Sequence, residues 1–192
     1  MIRLILLLIN KVMSKFQKVI EKALKRSSEI LEEMPAAVKS EDFDLSGMFN
    51  KIKKELNEVE KFETFKLLRS DKGEYVHDFL VDGKGKPVLY SSYKISEGFG
   101  LFAKSIFQNT DVKGLARRYY VHYLLPKYGR IMSDEDLTKD GLEFYVKMFD
   151  TVNISVIDTQ TKQKGRLDSA EEMYDYYGVG LGRFRFMLTP KQ

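Results

Sequence analysis

Residues 101–133, LFAKSIFQNTDVKGLARRYYVHYLLPKYGRIMS, decide the fold of this chain. LFAKSIFQ is a short, largely apolar run of strand character. After it, Thr110 and Asp111 suit a helix cap and Gly114 falls in the first turn. Ala116, Tyr119, Tyr120, Tyr123 and Leu124 then follow at helical spacing until Pro126. Residues 130–133 return to a short strand. A strand, a helix and a strand in succession favour parallel neighbours in one sheet.

The middle of that stretch also draws the eye for its chemistry. From Val112 to Arg130 it carries five Lys/Arg and four Tyr with no Asp or Glu, in a chain of 32 basic and 28 acidic residues. A helix start with Gly, a small residue and free backbone N–H groups, beside Lys113, Arg117 and Arg118, is suited to a phosphate. His122, four residues after Arg118, can complete a cationic face. The same residues also fit a packed helix with half-buried tyrosines and solvated cations.

Upstream, from Glu63, the texture is of short runs divided by turn residues: TFKLLRS, DKG, EYVHDFLV, DGKGK, PVLYSSYKI and EGFG. These are strands, and Asp82-Gly83 with Gly85 marks a hairpin between the second and third. Before them the spacing predicts two helices over 13–62. The first has its apolar stripe from Phe16 to Met34 and is closed by Pro35. The second is capped by Ser46 and buries Phe49, Ile52, Leu56, Val59 and Phe62. Residues 1–12 are apolar from Ile2 to Ile9, too short to span a bilayer, and read as a buried strand or as a leader ahead of a start at Met13. Downstream, Thr138 caps a helix through Phe149, NISVIDT alternates as a strand, residues 169–176 form a short helix, and RFRFML closes the chain as a strand. The order predicts a single α/β domain over 1–192. Its core, 63–192, would be a mixed, mostly antiparallel sheet of about six or seven strands flanked by helices.

Composition narrows the chemistry. The absence of cysteine removes disulfides, thiolate metal sites and cysteine nucleophiles, and only His77 and His122 are available for imidazole ligation. Asp134, Glu135, Asp136 and Asp140 lack the spacing and central glycine of a calcium loop, so no metal site is expected. GVGLG at 178–182 leads into a strand rather than a helix and lacks the geometry of a phosphate cradle. A net charge of +4 falls short of a dedicated nucleic-acid binder. The expectation is a cytoplasmic protein with no membrane partner.

The order of elements is similar to the acetyltransferase fold of the GNAT family, named for general control non-repressible 5-related enzymes. In that family a Gln/Arg-x-x-Gly-x-Gly/Ala turn opens the helix that binds the pyrophosphate of acetyl-coenzyme A. Here the register reads Asp111-Val112-Lys113-Gly114-Leu115-Ala116: Gly114 and Ala116 match, and Asp111 stands where Gln or Arg belongs, a carboxylate that repels a pyrophosphate. The resemblance implies a cofactor site formed by Val112, Lys113, Gly114, Leu115, Ala116, Arg117 and Arg118. A second resemblance, over residues 75–149, is to small acetyltransferase-like proteins of tailed bacteriophages. It rests on EYVHDFLVDGKGKPVLYSSYKI and on YGRIMSDEDLTKDGLEFYVKMF, with Ser133, Asp134, Thr138 and Gly141 at matching positions. It implies a phage-encoded protein working in host cytoplasm.

Amine acylation needs a deprotonated acceptor and an acid for the leaving thiolate. The resemblance places Tyr145 where that acid often sits, while Phe144, Met148 and Phe149 beside it equally mark a packing helix. His77 is a general base by residue type, and also a residue suited to an ordinary hydrogen bond within a sheet. Three functions follow as expectations: an acetyl-coenzyme A-dependent N-acetyltransferase acting on a protein or small amine; an inactive member of the fold that binds a host or virion protein; and a nucleic-acid binder whose tyrosines stack on bases.

Overall fold

Five strands join by tight turns into an antiparallel meander: β1 (Asn57–Phe62), β2 (Phe65–Ser70), β3 (Val76–Val81), β4 (Pro87–Ser96) and β5 (Gly100–Gln108). The structure, a computed structural model, describes residues 43–109, 111–135, 137–177, 179 and 182–191, all within the unit Val38–Gln192. The expected strand or leader over 1–12, the first expected helix and most of GVGLG lie outside these residues. The β3–β4 hairpin is set by local chemistry. Asp82 Oδ1 accepts from the Lys84 and Lys86 N–H groups at 2.9 Å each, and Gly85 takes the φ of +78° that the turn requires.

After β5 the topology changes. One helical rod returns the chain to β6 (Ile131–Met132), which pairs parallel to β5. Helix α4 (Lys139–Val146) then leads to β7 (Asn153–Asp158) and β8 (Lys164–Arg166). Helix α5 (Glu172–Tyr176) precedes β9 (Phe184–Thr189), which inserts between β6 and β7, antiparallel to both. The nine strands run β1-β2-β3-β4-β5-β6-β9-β7-β8. The fold is α/β with a mostly antiparallel sheet, as the sequence predicts. It has two strands beyond the expected set, β1 and β8.

The rod begins as α2 (Leu115–Tyr119), widens through a π-helical turn (Tyr120–Leu124) and finishes as α3 (Leu125–Tyr128). Pro126 has no N–H to give the turn before it. In the widened turn the Leu125 N–H reaches back to the Tyr120 carbonyl instead. The extra residue advances the buried stripe, so that Tyr119 and Tyr120 are followed by Leu124 and Leu125.

Both crossovers, β5 to β6 and β6 to β7, link parallel strands and step the same way across the sheet. The right-handed rule therefore puts their helices on one face. Tyr119, Tyr120 and Leu124 from the rod and Leu142 and Tyr145 from α4 do share one buried cluster. The other face carries α1 (Leu45–Ile52), with Phe49 packed on Phe79, Val81 and Tyr90. Strand alternation sorts β3 accordingly. Val76, Asp78 and Leu80 point toward the rod, and His77, Phe79 and Val81 toward α1.

Two local expectations change. The cap of α1 is Asp44 rather than Ser46: Asp44 Oδ1 accepts from the Gly47 N–H at 2.8 Å. The carboxylate also favours the positive helix end. This helix stops at Ile52, and Leu56 turns extended. Val59 and Phe62 therefore lie on β1, where pairing with β2 puts Phe62 edge-on against Tyr119, ring centroids 5.3 Å apart.

Candidate functional site

Strands β5 and β6 pair through two residue pairs only, Leu101 with Ile131 and Phe102 with Met132. Beyond them Ser133 is drawn to β9. Its N–H donates to the Phe186 carbonyl, and its Oγ accepts from the Phe186 N–H at 3.0 Å. Strand β5 continues to Gln108 with no strand on that side among the described residues. The carboxyl ends of two parallel strands thus diverge and open a crevice, the place where open α/β sheets bind ligands.

The start of α2 stands at the head of this crevice. Gly114 is its N-cap, left-handed at φ +69°, with no side chain capping the turn. The expected Asp111 cap is not used, since no side chain caps the turn, and the Asp111 N–H donates to Asn109 Oδ1 at 3.1 Å; Thr110 lies outside the described residues. A Cβ added at Gly114 would meet only Arg118 Nη1, at 3.7 Å, so the space above the turn is open. The Lys113, Gly114 and Arg117 N–H groups meet no acceptor among the described residues. The Ala116 N–H is occupied, donating to Gln108 Oε1 at 2.8 Å. Arg118 is engaged as well: Nε donates to Glu63 Oε1 at 2.8 Å and Nη1 to the Lys113 carbonyl at 3.1 Å. This pairing holds the Glu63 carboxyl below the usual carboxylate range. Arg117 reaches the Lys147 carbonyl at 3.3 Å. Val112 and Leu115 supply packing, Leu115 being fully buried. The residues present therefore fit a pyrophosphate at the Lys113 and Gly114 amides, with Lys113 and Arg117 as the cations and Arg118 as a brace.

One ion pair crosses the mouth of the crevice. Lys104 is the extra residue of a bulge in β5, since Ser92 faces Ser105 while Tyr93 faces Ala103. Its Nζ meets Asp134 Oδ2 at 3.0 Å and Oδ1 at 3.3 Å. Behind the pair, Tyr145 is only 3% exposed, within van der Waals surroundings that include Phe144 and Phe186. Burial, with the Tyr120 hydroxyl and the Asp134 charge nearby, pushes its phenol well above the ordinary value. It therefore stays protonated at neutral pH. His77 does not join it: it lies on the opposite face, with Nδ1 2.9 Å from the Tyr90 hydroxyl, and burial lowers its pKa. The structure thus gathers residues 112–118 and Tyr145 on one face of the sheet and leaves His77 on the other.

A buried network lies under the rod, and the sequence reading did not find it. Asp78 is fully enclosed. Arg69 grips it with two bonds, Nε to Oδ1 at 2.7 Å and Nη2 to Oδ2 at 2.8 Å. The Tyr93 and Tyr119 hydroxyls each donate to Oδ2 at 2.6 Å. Burial and the adjacent carboxylate raise both phenols far above their ordinary range. Toward the surface, the Tyr123 hydroxyl donates to Glu60 and accepts from Lys127 Nζ at 2.9 Å. The one sequence signal was an Asp in the middle of the apolar strand EYVHDFLV. With Tyr119 and Tyr120 enclosed, the rod offers neither of these rings for stacking on a base. No protein-family model matches this chain, and no curated protein matches it.

Proposed function

We propose that this chain binds an acyl-coenzyme A thioester in the crevice between β5 and β6, and that it is an N-acetyltransferase-like protein acting on a protein or small amine. The observation that carries the reading is the crevice itself. Two parallel strands part after two pairs, a glycine-opened helix starts at its head, and β9 is inserted beyond β6. This order of elements supports the GNAT resemblance.

The diphosphate would sit at the Lys113 and Gly114 N–H groups, with Lys113 and Arg117 offsetting its charge. In the transfer, a neutral amine attacks the thioester carbonyl, a C–N bond forms, the C–S bond breaks, the nitrogen gives up a proton to water and the thiolate takes one up. The resemblance gives the role of the acid for the thiolate to Tyr145, which its burial keeps protonated.

Calorimetry with acetyl-coenzyme A tests the reading through Asp111→Gln. This change removes a repelling carboxylate that caps nothing, and affinity rises about tenfold if about 1.4 kcal/mol is recovered. Gly114→Glu, at a positive φ and over the open space, abolishes binding. No saturable heat with any of the three proteins overturns the reading. The Ala116 N–H held by Gln108 and the Arg118–Glu63 pair favour a second reading, a non-catalytic binding protein on the same fold. Transfer of labelled acetyl to any amine excludes it.

A further inference from the structure

Three hydroxyls on the rod face of the sheet stand without acceptors among the described residues. Ser91 lies in β4 between Asp78 of β3 and Ile106 of β5 and is fully enclosed. Its Oγ has no hydrogen-bond partner, because the bonds that Asp78 accepts come from Arg69, Tyr93 and Tyr119. Beside it is Tyr120 of the rod, near enough for the serine to offset part of the rise that burial imposes on this phenol, yet not aligned with Oγ for a bond of ordinary geometry. The third hydroxyl is that of Tyr145 on α4, which bonds to no described residue. Unlike Ser91 Oγ, the two phenol oxygens are not sealed off from solvent.

Their place is the crevice. Tyr120 belongs to the crossover that leaves β5 and Tyr145 to the one that leaves β6. Phe144 stands edge-on to both, its ring centroid 5.1 Å from that of Tyr120 and 5.6 Å from that of Tyr145. Both phenols also sense the Asp134 carboxylate just beyond β6. Buried polar groups are almost always hydrogen-bonded, so an orphan in a folded chain calls for a reason. Here the surplus is of donors, set among the apolar side chains of Leu142, Phe144 and Phe186. A group that accepts hydrogen bonds and brings no proton of its own would match it.

We infer that Tyr120, with Ser91 behind it, donates its hydroxyl to the carbonyl oxygen of an acyl thioester bound between β5 and β6. The inference rests on the acyl-coenzyme A reading above. With that oxygen in place, the Tyr120 O–H turns to it and the Ser91 O–H turns to the Tyr120 oxygen, so both hydroxyls gain a partner at once. Burial keeps the Tyr120 proton on the phenol at neutral pH. The carbonyl oxygen gains negative charge as an amine adds to the carbon, so a bond donated there strengthens on the way to the transition state. This task is separate from the one the resemblance gives to Tyr145, whose proton goes to sulfur.

The test compares two ligands by calorimetry: acetyl-coenzyme A, and S-ethyl-coenzyme A, a thioether in which a methylene replaces the carbonyl. The unaltered chain is titrated beside Tyr120→Phe and Ser91→Ala, with melting curves to check folding. The unaltered chain is expected to bind the thioester about fivefold tighter than the thioether, the worth of one hydrogen bond between neutral groups. In Tyr120→Phe that ratio falls to about one, and in Ser91→Ala it falls part of the way. A packing role alone would weaken both ligands together and leave the ratio unchanged. An unchanged ratio in Tyr120→Phe, or in Ser91→Ala where Tyr120→Phe does not fold, therefore overturns the inference and leaves the acyl-coenzyme A reading standing. Equal affinity of the unaltered chain for the two ligands overturns it as well. If the unaltered chain binds neither ligand, the acyl-coenzyme A reading falls and takes this inference with it.

Discussion

Replacing Asp78 by Asn tests the buried network most directly. In the folded chain this carboxylate accepts two bonds from Arg69 and one each from Tyr93 and Tyr119, all between 2.6 and 2.8 Å. Asparagine keeps the shape but removes the charge and turns one acceptor into a donor. Summing four charge-assisted bonds would overstate the loss, since they share one group and the tyrosines re-pair in part. The larger effect is what is left behind: the Arg69 side chain, 13% exposed, without a counter-charge. Breaking a buried pair from one side costs about 3–5 kcal/mol. Arg69 also points Nη2 toward the Tyr123 hydroxyl at 3.4 Å, at the wetter end of the network, so the lower end of that range applies. With an m-value of about 2 kcal/mol/M, the urea midpoint falls by about 1.5 M. Tyr119→Phe, which removes one donor and strands no charge, costs about 1.5 kcal/mol. The deciding measurement is a rescue: adding Arg69→Met to Asp78→Asn removes the stranded cation and recovers a large part of the loss. A loss below about 1 kcal/mol for Asp78→Asn, or a double variant less stable than the single one, refutes the argument that the unpaired arginine dominates.

Gly100→Ala strikes the point where β5 meets β6. Gly100 has φ +132°, and a Cβ there would sit 2.6 Å from the Arg130 carbonyl oxygen, a backbone atom that cannot swing away. A clear drop in melting temperature is expected, and an unchanged melting curve contradicts the close approach. His77 governs a pH effect of definite sign. Burial holds its folded-state pKa below the ordinary 6.5, so the unfolded chain binds the proton first. Its contribution is present above about pH 6.5 and is lost as pH falls through the folded value. His77→Gln therefore flattens the stability profile between about pH 7 and pH 5; an unaltered slope in urea melts across that window refutes it.

What was legible in the sequence is what local chemistry decides. Thr138 caps α4 as its position predicts, Oγ1 accepting from the Gly141 N–H at 3.0 Å. The Asp82–Lys86 turn places β3 against β4 for the same kind of reason, and the strand–helix–strand order around the rod gives the parallel pair. Strand β1 was not legible. Its residues carry a helical stripe, and only pairing with β2, a contact to be made after the chain has turned at Glu63, outweighs it. Strand β8 escaped because Lys164–Arg166 has no apolar residue to mark it; it exists by virtue of backbone bonds to β7. The Asp78 network and the Lys104–Asp134 pair join residues from separate strands and helices, and no spacing rule along the chain connects them.

The network and the crevice meet in the rod. Its first turn carries the Lys113 and Gly114 amides, at which we propose a diphosphate sits, and the position of that turn is fixed at two points. Gln108 Oε1 holds the Ala116 N–H from the end of β5, and one turn later Asp78 holds the Tyr119 hydroxyl from β3. Two polar tethers from different strands allow the helix neither to slide along the sheet nor to roll on it without losing a buried bond. The π-helical turn then absorbs Pro126 on the far side of both tethers, so the irregularity does not reach the amides. A site that binds through backbone N–H groups has no side chain to readjust, and its geometry must be held by what lies beneath it. On the proposed reading of the crevice, Asp78 is thus a positioning residue as well as a core residue.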